Sequence, residues 1–83
     1  MLIKGGKLMP LTYAAIGEEL IIKKIGGGDE LKRHLESLGF AVGGEVRIIN
    51  VIGGNIIVSV KETRVAISRE TAQRIIIQEE GNK

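Results

Sequence analysis

The chain has 83 residues, 43% of them hydrophobic, with Tyr13 and Phe40 as its aromatics, so it predicts one small globular domain with an aliphatic core and no deep substrate cleft. The formal net charge is only +2, and both signs of charge are shared evenly between the two halves, which argues against a clustered polyanion-binding footprint. The absence of cysteine excludes disulfides, thiolate zinc sites and cysteine nucleophiles.

The first elements are short. Residues 1–9 predict a loosely ordered leader, with a single domain over 10–80 and a polar tail over 81–83. Pro10 suits the first position of a brief helical turn that Thr12 could cap and that Gly17 would end. The β-branched run Glu18–Ile25 (EELIIKKI), bounded by glycines, then predicts a strand.

One amphipathic helix follows the glycines at 26–28. Asp29 is placed as its N-cap, and Leu31, Leu35 and Leu38 form an apolar stripe at helical spacing. Gly39 is expected to take a left-handed conformation after the helix. Phe40 would then fold back onto Leu35, as in a Schellman motif.

A meander of strands occupies the rest of the chain. Strands are predicted over 45–52, 56–61, 64–67 and 75–78, with turns at Gly53-Gly54-Asn55 and Glu62-Thr63 and a helical turn capped by Ser68. The alternation breaks at Ile49-Asn50, which indicates either a bulge or a region covered on both sides. About five short strands and two or three short helices predict a mainly β fold, a small partly open barrel with a helical lid.

The candidates for chemistry have simpler explanations. Glu30 and His34 would supply only two metal ligands where closed sites use about four. The glycines at 26–28 lack a phosphate-loop motif, and no serine lies in a nucleophile motif. The sequence therefore predicts no enzyme, no cofactor, and no catalytic or metal-binding residue.

Burial in the core does not account for one group of neighbouring aliphatic side chains. Ile57 falls on the polar side of its strand, near Ile49 and Val51, and strict alternation would leave it exposed. Such a patch is either a second packing surface or a partner site.

Several segments together resemble the FeoA family, the small cytosolic component of bacterial ferrous iron uptake. They are PLTYAAIG, IGGG, LKRHLESLGF, VGGEVRII and RVAISRETAQRIII, and the similarity runs from Pro10 to about Ile77. The family's leucine and glycine framework falls on Leu11, Gly17, Gly27, Gly28, Leu31, Leu35, Leu38 and Gly39, and its basic helix position falls on Arg33. The chain differs from the family at Arg33-His34, at Val42-Gly43 and in the hairpin at Gly53-Gly54-Asn55.

The resemblance implies an SH3-like barrel related to the C-terminal domains of iron-dependent and manganese-dependent repressors. It also implies a cytoplasmic, non-enzymatic accessory protein that docks on FeoB, the permease with a cytosolic GTPase domain, and modulates transport. We expect no nucleic-acid partner, because two aromatic residues are too few to stack bases along a basic groove. We also expect no membrane insertion, because no apolar run approaches the roughly 20 residues of a spanning helix.

Tyr13, Arg33 and Ile57 are the candidate contact residues, since each offers apolar area or a fork of donors that the core does not require. One hypothesis is that Arg33 acts near the partner's nucleotide, as arginine fingers do. The alternative function is a nucleic-acid-binding or effector-sensing module like the repressor domains.

Overall fold

The computed structural model describes residues 8–79, and these form one antiparallel sheet with two short helices. The sheet order is β1-β6-β2-β3-β4-β5, and the sheet does not close. The strands are β1 Leu8–Pro10, β2 Glu19–Ile25, β3 Glu45–Ile52, β4 Asn55–Val60, β5 Thr63–Ser68 and β6 Ile75–Glu79; the helices are α1 Asp29–Ser37 and α2 Arg69–Ala72. The predicted mainly β, partly open barrel is confirmed, with six strands in the described residues where about five were expected.

The N-terminal prediction needs a correction. Leu8 and Met9, which the sequence predicts to lie in a loosely ordered leader, pair with Gln78 and Ile77 of β6. The remainder of the predicted leader, residues 1–7, and the tail over 81–83 lie outside the described residues.

Pro10 also differs from its predicted role. It ends β1, and a 3-10 turn, Leu11–Tyr13, begins after it. Thr12 does not cap this turn, since its Oγ1 is buried without a hydrogen-bond partner.

The predicted end of α1 is confirmed in detail. Gly39 has a φ of +110° and donates its N–H to the Glu36 carbonyl, while the Phe40 N–H donates to the Leu35 carbonyl, both at 3.0 Å. These two bonds define a Schellman motif. Leu35 and Phe40 are both completely buried.

The predicted start of α1 is wrong by one residue. The N-cap is Gly28, at a φ of +100° and without a side-chain cap, because the extended glycine loop carries the chain into the helix in a conformation that glycine favours. Asp29 is the first residue of the helix. Its carboxylate is still well placed there, beside the positive end of the helix dipole.

Two irregularities bend the sheet. The β3–β4 register shifts between Ile48 and Asn50, which confirms the predicted bulge. A second shift lies between Ile22 and Lys24, where β2 pairs with β6. Bulges of this kind increase the local twist and help a sheet to curl.

The two hairpin turns differ in their chemistry. Gly53, at a φ of +58°, is the first central residue of the β3–β4 turn. A type II′ turn has glycine at this position. The β4–β5 turn is Lys61-Glu62, not the predicted Glu62-Thr63. Both of its residues lie in the left-handed region, at φ values of 50° and 64°, as a type I′ turn requires.

The core is aliphatic apart from Phe40, as the composition predicts. On β4 the buried residues alternate, since Ile56, Val58 and Val60 are buried and the residues between them are not. The buried set is Leu11, Leu20, Ile22, Ile25, Leu35, Phe40, Val46, Ile48, Ile56, Val58, Val60, Ile67, Ala72, Ile75 and Ile77. Neither helix among the described residues is long and apolar enough to span a bilayer.

Candidate partner-binding surface

Tyr13 closes the 3-10 turn and is 74% exposed. The turn packs against α2 and β6 through its first residue, Leu11, which is completely buried. The aromatic ring of Tyr13 therefore faces solvent on a well-anchored backbone. An exposed tyrosine offers contact area at little cost in side-chain entropy, so it is a suitable anchor for a partner.

Arg33 lies on the exposed face of α1. The opposite face carries Leu35, which is buried, and Leu31, which packs against the core. Among the described side chains, no carboxylate lies within ion-pair distance of Arg33. Its guanidinium is therefore available to a partner.

Ile57 lies on the outer face of β4, paired with Asn50 of β3 and Ala66 of β5. The predicted face is right, but the expected full exposure is wrong, because Ile57 is only half-buried. Of the two neighbours in the predicted patch, Ile49 is also half-buried and Val51 is 39% exposed. The alternation along β4 therefore holds at Ile57, which lies between β3 and β5 in the sheet.

Other large aliphatic side chains are more exposed than Ile57, and the sequence reasoning missed them. Ile16 and Val42 are each 58% exposed, and Ile52 is 60% exposed. The sequence carried a signal for all three, because Ile16 directly precedes Gly17, Val42 directly precedes Gly43-Gly44 and Ile52 directly precedes Gly53-Gly54. Residues next to glycine turns tend to lie at loop tips, where little chain is available to cover them.

A shallow groove of about 500 Å³ lies on the outer side of β2, β3 and β4. The Glu19 carboxylate accepts a hydrogen bond from the Arg47 guanidinium within it, and the two form an ion pair. The groove is lined by Glu19, Gly43, Gly44, Glu45, Val46, Arg47, Ser59, Lys61 and Glu62. Its lining mixes both signs of charge.

The three predicted contact residues do not belong to one element. Tyr13 follows β1, Arg33 lies on α1, and Ile57 lies in the middle of β4. His34 is exposed on α1, and no group of three His, Asp or Glu side chains in the described part of the chain could hold a metal ion. The described surface provides exposed apolar side chains and the unpaired guanidinium of Arg33, and both suit contact with another protein.

Comparison with known proteins identifies the family. A family model described as the FeoA domain matches residues 9–79. A Methanocaldococcus jannaschii protein bearing the name Fe(2+) transport protein A is 35% identical over 72 residues, which cover 87% of this chain and 88% of that protein.

Solved structures agree. The crystal structure of an iron uptake regulatory protein, FeoA, superposes with a TM-score of 0.79 at 30% identity, covering 86% of this chain and 95% of that one. A manganese-dependent transcriptional repressor superposes with a TM-score of 0.80 at 18% identity, covering 94% of this chain and 45% of that one. This second likeness shows a shared fold only.

Proposed function

This chain belongs to the FeoA family, which takes part in ferrous iron transport, and from that membership we propose that it docks on FeoB. In this proposal it is a cytoplasmic, non-enzymatic accessory protein. It binds the cytosolic GTPase domain of the permease and thereby modulates iron uptake.

The exposure of Tyr13 carries the proposal. The fold completes its core without this ring, which is 74% exposed, whereas Phe40 is completely buried. Large aromatic side chains that the core does not use are typical anchors of protein interfaces. Arg33 on α1 adds an unpaired guanidinium, which suits the recognition of carboxylate or phosphate groups.

The test is a titration of the isotope-labelled chain with the purified cytosolic domain of the permease, followed by chemical shifts. We expect saturable shifts that include Tyr13. Tyr13→Ala and Arg33→Glu should weaken binding, while Val42→Ala, which removes a comparably exposed apolar side chain elsewhere, should not. Binding that is equal for all three variants would refute the assignment of Tyr13 and Arg33, and no binding by the native chain would refute the function.

The arginine-finger hypothesis is tested separately. The rate of GTP hydrolysis by the permease domain is measured with the native chain and with Arg33→Lys, which keeps the charge but loses the planar fork. A rate increase that Arg33→Lys abolishes would support the hypothesis. An unchanged rate on adding the native chain would dispose of it.

A further inference from the structure

Strand β5 forms an edge of the sheet. It pairs with β4 on one side, and in the described part of the chain no strand pairs with its other side. The opposite edge, β1, has three residues and ends at Pro10, which has no N–H to donate. The six-residue β5 is therefore the better of the two edges for adding a further strand.

The alternation of β5 identifies its outward-facing backbone groups. The Lys61-Glu62 turn joins Val60 directly to Thr63, and in a two-residue hairpin this closing pair is hydrogen-bonded. The N–H and C=O groups of every second residue therefore face β4. Those of Arg64, Ala66 and Ser68 face away from the sheet.

The exposure of β5 agrees with an open edge. Arg64 and Ala66 are exposed, and Val65 on the core side is only half-buried. Its cross-strand partner Val58 is completely buried. Less of the described chain therefore covers β5 than covers its neighbour.

Charge disfavours a second copy of this chain on the edge. Only residues whose backbone groups face outward can form hydrogen-bonded pairs across a two-fold axis. A register centred on Arg64 places that guanidinium opposite itself. A register centred on Val65 brings Lys61 toward Arg69.

The next register, centred on Ala66, brings Glu62 toward Glu70. The registers centred on Val65 and Ala66 pair the most residues of β5, and each brings like charges of the turn and of α2 together at its ends. Like charges close to each other across antiparallel strands destabilise the pairing, so both registers are unfavourable, as is the shorter one centred on Arg64. Charged residues commonly protect an edge strand against self-association in this way. A different chain need not carry these charges.

We propose that β5 receives an extended segment of a partner protein as an additional strand. The segment carries an acidic side chain where it passes Arg64, which has no ion-pair partner among the described side chains, and small or β-branched residues beside Ala66. Main-chain hydrogen bonds supply affinity in this mode of recognition, and side chains supply specificity. This inference rests on the proposed function, because it takes the additional strand from the cytosolic domain of the permease.

Amide hydrogen exchange of the native chain tests the proposal without any substitution. In the free protein the amides of Arg64 and Ala66 should exchange rapidly, while that of Val65 should be protected by β4. In the complex with the permease domain, Arg64 and Ala66 should become at least tenfold slower. Unchanged exchange at these two amides in a saturated complex would overturn the proposal.

Ala66→Pro provides the second test. It removes an outward N–H that β4 does not use, so the fold should persist while affinity for the permease domain falls at least tenfold. Ala66→Val, which keeps the N–H, is the matched control and should bind like the native chain. Native affinity in a folded Ala66→Pro variant would overturn the proposal. Failure of the native chain to bind the permease domain would instead refute the proposed function.

Discussion

The Phe40 amide donates a hydrogen bond to the Leu35 carbonyl at 3.0 Å, and both side chains are completely buried. The bond reverses the chain at the end of α1, so the residue after Gly39 enters the same core as the last buried leucine of the helix. The reversal thus keeps α1 packed on the core, and it depends on the left-handed conformation of Gly39.

Gly39→Ala should destabilise the fold by about 1 kcal/mol, because alanine adopts a positive φ only with strain. Steric clash adds little, since the nearest atom to an added Cβ is Val60 Cγ1 at 3.5 Å, an ordinary contact. Thermal unfolding should show a melting temperature about 4–8 °C lower. Gly54→Ala is the control, because its Cβ meets nothing within 4 Å and its φ is not positive; equal losses in both variants would contradict the explanation.

Replacing Lys61-Glu62 by Asn-Gly should stabilise the protein by roughly 1 kcal/mol. Both native residues are held in the left-handed region, whereas Asn-Gly is favoured in type I′ turns. Urea denaturation should give a higher midpoint with an unchanged slope. A lower midpoint would mean that the side chains of Lys61 and Glu62 make larger contributions than the backbone strain they introduce.

Glu19→Gln should change the free energy of unfolding by less than about 1 kcal/mol. The Arg47 and Glu19 side chains are 46% and 55% exposed, and exposed ion pairs contribute little because water and salt screen them. Urea denaturation at low and high salt checks this. A loss well above 1 kcal/mol that salt does not reduce would show that the pair organises the groove.

Ile57→Asp should weaken partner binding and also lower stability modestly, because Ile57 is half-buried on the outer face of β4. Ser59→Asp is the matched control, since it introduces the same charge on the same face of the same strand, two residues away. Both variants are compared by thermal unfolding and by titration with the permease domain. Equal losses of affinity in two folded variants would mean that negative charge on this face weakens binding, and that the Ile57 side chain makes no specific contact with the partner.

Local signals in the sequence determined much of the fold. The leucine spacing and Gly39-Phe40 specified α1 and its Schellman end, the broken alternation at Ile49-Asn50 specified the bulge, and Ser68 specified the cap of α2, where it accepts a hydrogen bond from the Thr71 amide. Each of these features involves residues close together in the chain. Their physical cause is therefore present in a short stretch of sequence.

Only the tertiary structure decided the rest. Leu8 and Met9 carry no strand pattern of their own. They form β1 because they pair with the backbone of β6, which comes from the other end of the chain. The half-burial of Ile57 and the open edge of β5 likewise depend on which strands become neighbours in the sheet. Hydrogen-bond pairing between distant segments sets these features, and a one-dimensional pattern of apolar residues does not encode it.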